Sequence, residues 1–158
     1  MKFFVDCMLG KLARWLRILG YDAAFDPSLD DDEAIALSLS EHRIILTRDR
    51  ALLKRKRRPE AVFVESTEPR RQILQVLEEL RLELDPALFF SRCLVCNAET
   101  RPAPREEVGG LVPPYVFATQ DRFSRCTHCG RIYWKATHFR NMVAGLGELM
   151  KERGKEEA

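Results

Sequence analysis

FFVDCMLGKLARWLRILGYD (residues 3–22) sets a short apolar run directly before a helix-period segment. Phe3, Phe4 and Val5 form a predicted strand. From Met8 to Leu19 the apolar residues Leu9, Leu12, Ala13, Leu16 and Leu19 recur at helical spacing, and Gly20 stands where a helix C-cap belongs. The alternation continues downstream. Tyr21 to Phe25 predicts a second strand, and the acidic run Asp30, Asp31, Asp32 and Glu33 suits the positive end of a helix reaching about Glu41. Ile44, Ile45 and Leu46 give a buried strand, Arg48 to Lys56 a helix, and Ala61 to Val64 another strand. A last helix opens at Thr67 and Pro69 and carries Ile73, Leu77, Leu80 and Leu84 on one face. Strands alternating with helices predict an α/β fold with a mostly parallel sheet flanked by helices.

The chain has 158 residues and 46% hydrophobic residues, enough for one medium core and a small satellite module. No apolar run approaches the roughly 18 to 20 residues that span a bilayer, and Met1 and Lys2 run straight into a strand-like segment. A cytoplasmic protein with no membrane partner is therefore expected. The net charge of +2 is too small to predict a polyanionic partner by itself, so any such reading rests on where the charges fall.

Near Leu84, Asp85 and Pro86 the helical periodicity fades, and prolines cluster at Pro102, Pro104, Pro113 and Pro114. A module boundary is expected there, giving units over residues 1–88 and 89–150 and a charged, frayed tail over 151–158. Four of the five cysteines form two Cys-x-x-Cys pairs, Cys93/Cys96 and Cys126/Cys129. Two such knuckles supply the four soft ligands that tetrahedral zinc takes, and neither pair sits at the strand-to-helix junction a redox dithiol needs. Asn97 and Gly130, which follow the second cysteine of each pair, are the types that best tolerate a positive φ as the turn closes. The 29 residues between the pairs should hold a hairpin and a loop around Pro113 and Pro114. With four thiols available, His128 reads as an exposed knuckle residue; His138 is either a helix-start residue or a nucleic-acid contact.

Asp6 closes the first strand, Asp32 precedes the second helix, and Asp49 follows the Ile44–Thr47 strand. In a parallel sheet the residues just past the carboxyl ends of strands collect along one edge, where ligands bind. Gathered carboxylates raise one another's pKa unless a hard cation lies between them, and Mg or Mn supplies that charge for phosphodiester cleavage. Each acid also has a plainer reading: Asp32 and Asp49 as helix caps, Asp6 as a strand end. Lys11, Arg14 and Arg17 lie on the first helix, Arg48 and Arg50 flank Asp49, and Lys54 to Arg58 is a basic run. These would attract a polyanionic backbone, or simply form solvated faces.

Together with the first stretch, LTRDRALL around Asp49, CLVCN, VPPYV and CTHCGRIYWKATH resemble the Mut-seven C-terminal RNase family, a branch of PIN-like nucleases with an appended zinc ribbon. The resemblance reaches about Met142. It implies a PIN-like sheet, a structural zinc on Cys93, Cys96, Cys126 and Cys129, and Mg- or Mn-dependent cleavage of RNA. Asp6, Asp49 and an acid of the 30–32 run, Asp32 with Asp31 as second choice, would hold the catalytic metal. Lys11, Arg14, Arg17, Arg48 and Arg50 would hold phosphates, His138 would contact RNA from the ribbon, and Tyr133 and Trp134 would either stack on bases or, the commoner role, pack against the ribbon's own strands. Where many PIN-like nucleases carry a further acid two residues past the Thr-x-Asp aspartate, this chain has Ala51, so the implied acidic set is thin. The competing class is a non-catalytic RNA- or ribosome-binding zinc-ribbon protein. A toxin of a toxin–antitoxin pair shares the chemistry, but the added ribbon argues against it, and the sequence identifies no protein partner.

Overall fold

The structure, a computed structural model, describes residues 1–156, apart from the side chains of residues 138, 153, 154 and 156. The first strand, β1 (Lys2–Val5), enters a single 3-10 turn over Cys7–Leu9 and then helix α1 (Gly10–Ile18). There follow β2 (Asp22–Ala24), α2 (Asp31–Ser40), β3 (Ile44–Thr47), the one-turn α3 (Arg50–Leu53), β4 (Ala61–Phe63) and α4 (Pro69–Glu79). The predicted helix from Arg48 to Lys56 is thus only one turn long. Asp49 starts it, and the run of five cations beyond Leu53 has no apolar face to bury.

The four strands form one parallel sheet in the order β2-β1-β3-β4. Alternate side chains point to opposite faces. Phe3, Val5, Ile44, Leu46, Val62 and Val64 pack with α1 and α4 on one side, while Phe4 and Ile45 pack with Ala34 and Ile35 of α2 and Leu52 of α3 on the other. The chain leaves β1 in one direction to make β2 and returns on the other side of β1 to make β3. The switch point therefore falls between β1 and β3, and the crevice beyond their carboxyl ends is where such sheets bind ligands.

The rear of the chain forms a three-stranded antiparallel sheet, β5 (Thr100–Ala103), β6 (Phe123–Cys126) and β7 (Ile132–Tyr133), in the order β5-β6-β7. The expected hairpin is β5-β6. Two short helices, α5 (Arg105–Val108) and α6 (Pro114–Thr119), take the place of the single loop, with Pro114 at a first helical position, which its fixed φ favours. Val108, Val112 and Phe123 make a small core of their own.

Helix α7 (Thr137–Glu156) then returns to the first unit. Leu146, 1% exposed, is part of the same core as Phe3, Leu12 and Leu77, and Val143, Leu149 and Met150 pack beside it. The tail expected to fray from Lys151 is helical through Glu156, and residues 157 and 158 lie outside the described residues. No helix among the described residues is long and apolar enough to cross a membrane.

Candidate functional site

Two centres emerge at opposite ends of the parallel sheet. At the carboxyl end, β3 stops at Thr47, which is fully buried. Its hydroxyl donates to Asp6 Oδ2 (2.6 Å) and accepts from the Asp49 backbone N–H (2.9 Å), so one oxygen ties the two acids together. Asp6 Oδ1 accepts from the Cys7 N–H at 2.7 Å, and Asp49 Oδ1 accepts from the Ala51 N–H at 2.8 Å. Asp49 does cap the helix that follows it, its plainer reading, and Asp6, read as a strand end, also caps the turn over Cys7–Leu9. Capping and ligation are compatible here, because each capped oxygen keeps a second lone pair and Asp49 Oδ2 has no hydrogen-bond or ion-pair partner among the described residues.

The 30–32 run divides its labour. Asp30 caps α2 in a reciprocal capping box with Glu33. Asp32, its side chain 79% exposed, pairs with Arg55 at 3.3 Å. Asp31 is the acid that faces the other two: burial pushes its carboxyl above the ordinary value, and the charges of Asp49 and Asp6 push it the same way. The sequence placed Asp32 first and Asp31 second for this position. Successive helical residues point about 100° apart, and only one can look over the sheet edge. The carboxylates stand wider apart than the ribbon's thiols, because among the described residues only the four cysteines have ligand atoms all within 4.8 Å of one another.

The cations are placed less uniformly than their sequence suggested. Lys11 and Arg14 are exposed on α1, at the end next to Asp6. Arg17 is not available to a nucleic acid: it is 5% exposed, and its guanidinium donates to the carbonyls of Ala23 (2.9 Å), Leu94 (3.0 Å) and Val95 (3.2 Å). Arg48, half-buried, donates to the Val64 carbonyl at 3.0 Å and to that of Glu65, bracing the chain just past β4. Arg50 is exposed, with its guanidinium 4.3 Å from the centre of the Phe63 ring.

At the amino end of the sheet sit the cysteines. Cys93 Sγ lies 3.6 Å from Cys129 Sγ, and Cys96 Sγ lies 3.5 Å from Cys126 Sγ. A tetrahedral zinc with bonds of about 2.3 Å needs sulfurs about 3.8 Å apart, so the cluster is built to that size. Burial raises the Cys93 thiol, but the N–H groups of Cys96 and Val95 and the Tyr133 hydroxyl outweigh it and bring it down to about 6. Burial and the neighbouring thiols push Cys96 up to about 12. Metal binding would release the protons the thiols still hold, so it is coupled to pH. Asn97 and Gly130 have φ of 64° and 76°, as the knuckle reading requires.

Tyr133 and Trp134, the candidates for base stacking, are both half-buried. The Tyr133 hydroxyl lies 3.1 Å from Cys93 Sγ and accepts from the Leu94 N–H, so its polar tip is engaged in the zinc knuckle. Trp134 packs edge-on against Phe123. His138 is in α7, and its side chain lies outside the described residues. His128 is exposed and outside the cysteine cluster.

Sequence reading missed how the knuckle joins the sheet. Strand β2 is an edge strand, and its outward-facing Ala23 offers an N–H and a carbonyl with no neighbouring strand. Asn97 Oδ1 accepts the N–H at 3.0 Å, and Arg17 takes the carbonyl. Asn97 Nδ2 donates to Asp22 Oδ1 (2.7 Å), which also accepts from Arg43 at 2.6 Å, and Arg43 reaches on to the Phe3 carbonyl. Arg43 stands directly before the β3 strand in sequence, but nothing local shows that it would be buried at 8% exposure.

The four-cysteine cluster is compatible with a structural zinc. No curated protein and no solved structure matches the chain. Residues 1–146 match the family model described as the Mut7-C RNAse domain, which points to a nuclease role with RNA as substrate. That match spans both the acid-bearing sheet and the cysteine ribbon, and on it the chain belongs to the Mut7-C RNAse domain family.

Proposed function

We propose that the protein is a PIN-type, divalent-metal-dependent ribonuclease in which Asp6, Asp31 and Asp49 hold Mg or Mn and the zinc ribbon contributes to RNA binding. The observation that carries this reading is the shared Thr47 hydroxyl, which brings Asp6 and Asp49 to the switch point of the sheet while Asp31 bears on both. The donor set fits the metal: carboxylate oxygens are hard ligands, and Mg is commonly held by only one or two carboxylates with water completing its shell. Carboxylates spaced wider than the thiols are consistent with that mode.

A bound dication there would lower the pKa of its water and offset charge on a phosphoryl oxygen. The chain's own groups do the rest. Thr47 fixes the separation of Asp6 and Asp49, and the Cys7 and Ala51 N–H groups fix the rotation of each carboxylate. Lys11, Arg14 and Arg50 supply exposed positive charge around the acids for a phosphate backbone. Asp32 belongs to the rim, where it pairs with Arg55.

The test is cleavage of mixed RNAs in Mn by the wild type, Asp6→Asn and Asp49→Asn. The expected result is loss of at least about 100-fold in each variant and restoration of wild-type cleavage when Mn is added back after chelation. Cleavage that survives both substitutions would overturn the reading. RNA binding without metal-dependent cleavage would transfer the protein to the non-catalytic RNA-binding class.

A further inference from the structure

We propose that the groove between the linker after Pro86, the ribbon sheet and the start of α7 is a grip for single-stranded RNA. This rests on the RNA reading above and deepens its ribbon part, naming the surface and the kind of RNA it takes. The groove holds about 1000 Å³ and is lined by aromatic rings, Phe89 and Trp134 among them, and by Arg101, Arg122, Lys135 and Arg140. That is the upper end of the volumes that enclose a drug-sized ligand, room for a nucleotide segment and not just a single ion.

The charges favour a polyanion. Asp121 is the groove's only acid, against four cations. Arg101 is paired with Glu107, and Lys135 donates to the Pro86 carbonyl at 3.0 Å, but Arg122 and Arg140 are exposed and have no acidic partner among the described residues. Uncommitted guanidiniums and aromatic rings lining one groove are the ingredients of sequence-tolerant binding, in which phosphates are neutralised and bases stack.

Its position sets the kind of substrate. The linker's Phe90 N–H donates to the Ile18 carbonyl at the far end of α1, and the knuckle docks on Asp22, opposite Lys2. The groove therefore lies toward the amino end of the sheet, while Asp6 lies four residues past Lys2, about 13 Å away along the strand. At about 3.4 Å per stacked nucleotide, the strand alone takes about four nucleotides to span, so an RNA must be at least that long to run from the amino end of the sheet to the acids. The grip would favour polynucleotides over dinucleotides.

The experiment uses the full zinc-loaded chain without Mg or Mn and a fluorescein-labelled 12-nucleotide oligouridylate, with anisotropy read between 50 and 200 mM salt (roughly the range over which phosphate contacts report themselves). On a slope of about −0.7 per phosphate contact for a single strand, each contact is worth about fivefold at 0.1 M salt. The double variant Arg122→Gln/Arg140→Gln should therefore bind about 25-fold more weakly, with a salt slope shallower by about 1.4 and an unchanged melting temperature. Lys56→Gln/Arg57→Gln, in the exposed run beyond α3, should stay within about twofold of wild type. The proposal is overturned if the wild type does not bind, if the groove variant binds like the wild type, or if the loss follows the basic run. Because the assay reads binding without catalytic metal, its outcome is separate from that of the cleavage test.

Discussion

Asn97→Ala removes the residue that joins the zinc knuckle to the sheet edge. Three costs can be worked out from the contacts. The Ala23 N–H, on a residue with no exposed surface, loses its acceptor, at about 1–3 kcal/mol for an unsatisfied buried donor. Asp22 loses the 2.7 Å bond from Nδ2; with Arg43 and Arg92 still near, this sits at the low end for a charged acceptor, about 1.5 kcal/mol. Alanine also tolerates the φ of 64° less well than asparagine, at about 1 kcal/mol. Together these predict about 4 kcal/mol of lost stability, or about 2 M in the urea midpoint for a chain with a slope near 2 kcal/mol/M. Asn97→Gly frees the backbone but restores neither hydrogen bond, so it should lose about 1 kcal/mol less than alanine. The assay is urea unfolding of the zinc-loaded protein, followed by circular dichroism. A loss below about 1 kcal/mol for Asn97→Ala would show that the knuckle does not hold the edge strand, and equal losses for alanine and glycine would refute the backbone part of the argument.

The two acids of α2 should separate cleanly. The folded-state pKa of Asp31 lies above its ordinary 3.8, so its favourable contribution is complete below that value and is lost as pH rises through the folded pKa; at neutral pH its charge works against the fold. Asp31→Asn should therefore raise the melting temperature of the metal-free protein at pH 7 and abolish the further rise on adding Mn, while Asp32→Asn keeps the Mn response. Identical metal responses in the two would count against Asp31. For α7, Leu146→Ala should cost about 2–5 kcal/mol in a single cooperative unfolding transition, because it opens a cavity in the core shared by β1, α1 and α4. A cost under about 1 kcal/mol would mean that the helix does not support the sheet.

Much of the architecture was legible because it is written in short-range patterns. The apolar runs at Phe3–Val5 and Ile44–Leu46, the helical spacing of Leu12, Leu16 and Leu19, and the paired knuckles with Asn97 and Gly130 each need only a few consecutive residues to be read. Single-turn α3 and the two small helices of the ribbon insertion were harder, since such segments carry little period of their own. Arg17 shows the limit for site residues. It lies on the same helix as Lys11 and Arg14, yet its partners Leu94 and Val95 are 77 and 78 residues away.

Taken alone, the sequence determined that a parallel α/β unit comes first, that four thiols follow in metal-binding spacing, and that Asp6 and Asp49 stand at the ends of strands. Only the tertiary structure decided that Asp31 and not Asp32 overlooks those acids, that Arg17 and Arg48 brace backbone carbonyls, and that α7 closes the first core. The physical reason is range. Turn chemistry and periodicity act over a few bonds, whereas burial and the electrostatic environment of a charge depend on whichever distant segment packs against it.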